Sequence, residues 1–263
     1  MFNEFRLAIG FLTLLPVTPT RKFKEEEFAR CIKFFTLIGV IFGLLNVFCL
    51  YLHQFHESKL LTALFIVLGN IFLSGGLHLD GLMDSFDGIA ASKKTRPETL
   101  KVLKDSRVGA FGSMAGSLLI ISKIIFISQI NFESDWIFYS LLFFIVPILS
   151  RFMMVLALLF QVSNEDVKTD ASSLSIFKKH QKTWLDLIIN LLGMKIPAAI
   201  YIVMFPIPFM SLIKVDYYII PWMLLAWFVY AWLKFKLKGH NGDTMGAGLE
   251  INEVLLFFFF NFI

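Results

Sequence analysis

Apolar residues in this chain come in long blocks rather than in the short alternations of half-buried strands. Six blocks are long enough to cross a bilayer, at roughly 34–52, 60–77, 109–130, 136–160, 184–213 and 217–233. A crossing needs about 20 mostly apolar residues. The fifth block exceeds this and holds Pro197, Pro206 and Pro208, so a kinked or broken helix is expected there. Residues 5–17 are apolar but short and stop near Pro16, which reads as an interfacial or re-entrant piece. The Phe-rich tail 254–263 would reach ~15 Å as a helix, about half the hydrocarbon core, so it does not span alone. The pattern predicts an all-α polytopic membrane bundle. It has about six full spans plus short N-terminal and C-terminal apolar segments, in a single domain over 1–263.

Composition agrees with the blocks. Hydrophobic residues make up 57% and charged residues 17%, with 31 Phe; soluble domains run at roughly 45–50% and 25%. A soluble enzyme, a disordered chain and a secreted disulfide scaffold are excluded. The net charge of +4 is too weak and dispersed to call for nucleic acid. Its distribution is informative. The first, third, fifth and seventh connecting segments carry 19 of the 24 Lys and Arg, whereas the second, fourth and sixth carry only Lys59 and Lys214. This bias puts both termini and the long loops in the cytoplasm, for a protein of the cell (inner) membrane. Cys31 and Cys49 have no metal-ligand spacing and read as small core residues. No cleavable signal peptide is expected, because Met1-Phe2-Asn3-Glu4 lacks a basic start. Asn46 and Asn70 are expected to hydrogen-bond between helices, Arg151 to snorkel or pair with a carboxylate, and Lys123 to lie near a span end.

The polar chemistry is concentrated in two cytoplasmic loops, 78–112 and 238–253. The first opens His78-Leu79-Asp80-Gly81-Leu82-Met83-Asp84-Ser85-Phe86-Asp87-Gly88. Asp80, Asp84 and Asp87 share one helical stripe, where three carboxylates repel unless a cation is shared. Hard oxygen donors of this kind suit Mg²⁺ or Mn²⁺, and such sites commonly hold substrate phosphates as well. Further on, Asp105 offers a fourth carboxylate, Arg107 a bidentate phosphate grip, and Gly109 and Gly112 close backbone approach. The second loop, Lys238-Gly239-His240-Asn241-Gly242-Asp243-Thr244-Met245-Gly246-Ala247-Gly248-Leu249-Glu250, adds Asp243, with His240 and Asn241 beside it. The residues alone therefore predict a cytoplasm-facing membrane enzyme that transfers a phosphoryl group with a carboxylate-held divalent metal.

Taken together, the run 78–88, the segment Lys104-Asp105-Ser106-Arg107-Val108-Gly109-Ala110-Phe111-Gly112, the early Phe11-Leu12-Thr13-Leu14-Leu15-Pro16-Val17 and the later Gly242-Asp243-Thr244-Met245-Gly246-Ala247 resemble the cobalamin synthase (adenosylcobinamide-GDP ribazoletransferase) family, in order and over nearly the whole chain. The resemblance implies an integral membrane enzyme that needs Mg²⁺. It would join adenosylcobinamide-GDP to α-ribazole or its 5′-phosphate, giving adenosylcobalamin or its 5′-phosphate and GMP. The metal ligands it implies are Asp80, Asp84, Asp87, Asp105 and Asp243. Asp84, Asp87 and Arg107 are the expected catalytic residues, with Asp87 as the suggested base. His78, Arg107, Gly109, Gly112, His240 and Asn241 are expected to bind substrate. Three positions depart from the family pattern: Thr36 stands where Pro is usual, and Lys238 and Asn241 replace a Gly and a Thr. A lipid-synthesising CDP-alcohol phosphotransferase is the second enzyme reading, but Asp80-Gly81 is not followed by the Ala-Arg of that signature. A transporter is the reading from another class; it would want carboxylates mid-span, and the spans as drawn hold none. Self-association is left open.

Overall fold

The structure is a computed structural model that describes residues 2–17, 22–91, 107–162 and 209–262, together with Leu103 and Ile176. The helices are α1 (Phe2–Leu12), α2 (Glu25–Arg30), α3 (Phe35–Leu52), α4 (Lys59–Ser74), α5 (Leu77–Ala90), α6 (Ala110–Gln129), α7 (Trp136–Phe160), α8 (Phe209–Leu237) and α9 (Gly242–Phe260). No strand occurs among the described residues. The fold is the expected helical membrane bundle. Among the described residues, four stretches are long and apolar enough to cross a membrane: Glu25–Phe55, Ala110–Gln129, Trp136–Phe160 and Ile220–Leu237. The bent pair α4–α5 makes up to five. The surface is inverted relative to a soluble protein. Phe48, Phe72, Leu118, Ile121, Leu224 and Phe228 point outward, while Arg151, Asn46 and Asn252 are buried.

The first, third, fourth and sixth expected spans correspond to α3, α6, α7 and α8. The second is only the first limb of the bent pair, and of the fifth only residues 209–213 are described, as the start of α8. The short N-terminal piece is α1, which buries Leu7, Ala8, Ile9 and Leu12 and is held by Glu4 bonds to Lys33 (2.7 Å) and Arg30 (3.2 Å). Cys31 and Cys49 are buried free thiols.

Helix α3 packs most extensively on α7. A Cβ on Gly39 or Gly43 would fall within 3 Å of the α7 backbone, so this small-residue pair permits the contact. Pro147 inside α7 has no N–H for the Phe143 carbonyl. Asn46 replaces that donor, its Nδ2 reaching Phe143 O at 3.0 Å, and in turn accepts from Asn70 Nδ2 at 2.8 Å. Both asparagines bond between helices, as expected.

The element that shapes the site is the turn from α4 to α5. Gly75 and Gly76 both take left-handed φ, at 63° and 73°. The Gly76 N–H returns to Ile71 O at 2.9 Å, a Schellman-type closure. The chain bends by 89° here, so α5 lies across one end of the bundle instead of completing a crossing.

The tail differs from expectation. The Gly-rich loop and the Phe-rich tail form one helix, α9, of 19 residues. Asp243 in its first turn lies against Gly81 of α5. Its far end meets other elements: Asn261 Nδ2 donates to Phe126 O at 3.0 Å, and Tyr218 Oη donates to Phe262 O at 3.1 Å. Phe126 is near the end of α6 away from the carboxylates. The N-terminal region sits at the α5 end instead, with Leu14 N–H bonded to Leu73 O at 2.8 Å. The far end of α9 therefore lies by the end of α6 away from the carboxylates, and the segment after α1 lies by the α4–α5 turn.

Candidate active site

The site is built on the crossing of α5 with the first turns of α9. A Cβ on Gly81 would sit 3.0 Å from both Asp243 Cα and O, and one on Gly246 would sit 3.1 Å from His78 Cα. These two hydrogens-for-side-chains let the helices meet backbone to backbone, fixing Asp243 beside the aspartate stripe.

On the stripe, Asp80 is exposed, while Asp84 and Asp87 are half-buried. Burial, then the neighbouring Asp80 and Asp87 carboxylates, push the Asp84 carboxyl up to about 6. Asp87 has a specific task. Its Oδ2 accepts the Gly109 N–H at 2.7 Å and its Oδ1 the Gly112 N–H at 2.8 Å. Asp87 thereby caps α6, satisfying two N-terminal donors and meeting the positive end of the helix dipole. A Cβ on either glycine would collide with this carboxylate. The close backbone approach expected of Gly109 and Gly112 is thus real, and the group approached is a carboxylate of the same chain. Arg107 is exposed just ahead of this cap.

Asn241 is the N-cap of α9, its Oδ1 accepting Thr244 N–H at 3.0 Å, and its Nδ2 donates to Asp243 Oδ2 at 2.7 Å. Asn substitutes well for Thr at an N-cap, which accounts physically for that departure from the family pattern. His240 is fully buried, its Nδ1 3.1 Å from Thr244 Oγ1, and His78 is 4% exposed. These three residues build the crossing from within; none lies on an open surface. Asp105 lies outside the described residues.

Among the described residues, no three carboxylate, imidazole or thiol groups converge tightly enough to grip one ion. The donor set nonetheless fits a hard divalent cation by its chemistry: oxygen-only, anionic, and mutually repelling around Asp84.

A second polar cluster, missed in the sequence, lies deeper. Lys123 Nζ bonds Glu250 Oε2 at 2.6 Å and Glu253 Oε2 at 2.8 Å. Arg151 Nη1 reaches Glu253 Oε1 at 3.3 Å and Pro147 O at 3.0 Å, with its guanidinium 3.8 Å from the Phe42 ring centroid. Arg151 does pair with a carboxylate. Lys123 is buried rather than near a span end, and the bundle interior does contain acidic residues. The clue was available: two isolated cations in apolar blocks need carboxylate partners, and Glu250 and Glu253 share a helix face. Two cations against two carboxylates make the cluster neutral, as expected of a structural staple rather than an ion path.

A profile of the family described as cobalamin-5-phosphate synthase matches residues 4–261. Among curated relatives, an adenosylcobinamide-GDP ribazoletransferase of Synechococcus elongatus is 34% identical over 260 residues, covering 97% of this chain and 95% of the relative. One of Fusobacterium nucleatum is 29% identical, covering 97% and 96%. One of Desulfitobacterium hafniense is 28% identical, covering 95% and 92%. No solved structure matches.

Proposed function

The chain belongs to the cobalamin-5-phosphate synthase family, a family of transferases in cobalamin synthesis, and from that footing we propose that it joins adenosylcobinamide-GDP to α-ribazole or α-ribazole 5′-phosphate. The products are adenosylcobalamin or its 5′-phosphate, and GMP. The observation that carries this reading is the aspartate stripe of α5 set against Asp243 at the end of an apolar bundle. The setting is the cell (inner) membrane, with the α5 end of the bundle facing the cytoplasm.

In the proposed reaction an acceptor hydroxyl oxygen attacks the phosphorus next to the cobinamide. The new P–O bond forms as the bond to the GMP oxygen breaks, and the hydroxyl proton passes to a carboxylate. Asp80, Asp84 and Asp243 are the residues that would hold Mg²⁺ or Mn²⁺, with Asp105 a further candidate. When bound, the ion supplies neutralisation of the diphosphate. Asp87 was the suggested base, but both its oxygens accept N–H groups of α6. It serves better as the residue that fixes the α6 start against the stripe, leaving Asp84 Oδ as the better proton acceptor. Arg107 offers the phosphate grip. The α5–α9 crossing keeps the carboxylates on rigid helices, so little reorganisation accompanies the transfer.

The test is a product assay in lipid with adenosylcobinamide-GDP and α-ribazole, with Mg²⁺ or EDTA, following GMP and cobalamin. Mg²⁺-dependent formation of both is expected. Asp84→Asn should lose at least about a hundredfold in turnover while its thermal unfolding in detergent stays near wild type. No product from folded protein with metal would remove the substrate assignment, and an Asp84→Asn protein of full activity would remove the stripe.

A further inference from the structure

Asp243 is fixed from two sides. Its main chain lies against Gly81, the residue after Asp80, where a Cβ would fall 3.0 Å from Asp243 Cα and O. Its carboxylate is held by Asn241, whose Nδ2 donates to Asp243 Oδ2 at 2.7 Å. The other end of the same amide, Oδ1, accepts the Thr244 N–H at 3.0 Å. These two bonds permit one orientation of the amide. Turned over, it would set its NH2 against an N–H and its oxygen against a carboxylate. They also settle a competition. The Thr244 N–H is a donor that a first-turn carboxylate could otherwise take, and Asn241 Oδ1 already occupies it. Asn241 is itself anchored. Its N–H donates to Thr244 Oγ1 at 3.0 Å, and Thr244 Oγ1 donates to the Asn241 carbonyl oxygen at 2.8 Å. The residue is 5% exposed. Its NH2 is thus a donor on a fixed mount.

We propose that Asn241 is a positioning residue for the divalent ion, which rests on the reading above that Asp243 helps to hold one. The amide presets the Asp243 carboxylate beside the start of the α5 stripe and serves the ion only through it. A free aspartate spreads over several rotamers, and collecting it costs affinity when the ion arrives; the bond from Asn241 has made that selection beforehand. The choice of donor matters. A lysine or arginine would orient the carboxylate and also neutralise it, whereas an amide orients it without cancelling the charge that a hard cation binds. Asn241 therefore combines two tasks on separate atoms, capping α9 with its oxygen and aiming Asp243 with its nitrogen.

The experiment titrates Mn²⁺ into the protein in phosphatidylcholine nanodiscs, without substrate, and reads the free ion by electron paramagnetic resonance. Two substitutions separate aiming from capping. Glycine is nearly as good an N-cap as asparagine and alanine is a poor one, and neither carries a side-chain donor. Asn241→Gly and Asn241→Ala should both raise the Mn²⁺ dissociation constant about tenfold. In EDTA, only Asn241→Ala should melt clearly below wild type. In an Asp243→Asn background, Asn241→Gly should change the constant by less than about twofold, because the carboxylate it aims is gone. An Asn241→Gly protein with the wild-type constant reduces Asn241 to a helix cap and overturns the proposal. A tenfold effect that persists in the Asp243→Asn background overturns it as well, since the amide would then act by another route. Wild-type protein without saturable Mn²⁺ binding removes the metal site itself and this proposal with it. Wild-type protein that binds Mn²⁺ but forms no product removes only the substrate assignment and leaves the comparison at position 241 decisive, so the two failures are distinguishable.

Discussion

The Asp84 carboxyl stands between two like charges in a half-buried setting, which raises it to about 6. Its folded value is above its unfolded one. The stability it contributes is therefore fully present below about 3.8 and is lost as pH rises through about 6. In EDTA the wild-type melting temperature should fall across that window relative to Asp84→Asn, whose amide does not titrate. A cation that relieves the repulsion competes with the proton. Mg²⁺ should thus raise the melting temperature more at pH 7.5 than at pH 5.5, and by equal amounts at both pH values only if Asp84 takes no part. This residue was legible in the sequence, because i, i+4, i+7 spacing is a local property of one helix. The partners of Asp87 were not, since the Gly109 and Gly112 N–H groups come from 22 and 25 residues away. Spacing alone could not separate a metal ligand from a helix cap.

At the scale of elements, α9 is where reading the chain by hydropathy went furthest astray. Its sequence holds two glycines, Gly246 and Gly248, after the N-terminal one and the acids Asp243, Glu250 and Glu253, so it scores as a polar loop. Yet those glycines are contact points with His78 and Tyr230, and the glutamates are neutralised by cations on α6 and α7. Helix propensity and local polarity were overridden by partners more than a hundred residues away. The pairing makes a sharp prediction. Lys123→Met leaves Glu250 and Glu253 buried against Arg151 alone, and should cost about 3–5 kcal/mol. Lys123→Met with Glu250→Gln restores neutrality and should recover much of that loss. Chemical or thermal denaturation of both proteins in detergent checks the order, and a double variant weaker than the single one would show that charge balance is not what the cluster supplies.

For the whole molecule, the apolar blocks foretold the helical bundle, and α9 carries the chain from the α5 crossing to the Phe126 end of α6. Phe262 and Lys236 should face opposite sides of the membrane. With Cys31 and Cys49 buried, Phe262→Cys and Lys236→Cys are each readable in sealed vesicles by a membrane-impermeant maleimide. One should label only from outside and the other only after the vesicles are opened; labelling of both from one side would return the C-terminal end to the α5 face. The same helix imposes an order on biogenesis. As the chain emerges from the ribosome, α6 and α7 enter the bilayer before α9 exists, with Lys123 and Arg151 still awaiting their counter-ions. The arrival of α9 delivers both neutralising glutamates and Asp243. A nascent bundle therefore acquires its electrically balanced interior and its completed carboxylate cluster in the same insertion event, and a chain stalled before it is both unfinished as a catalyst and exposed to membrane quality control.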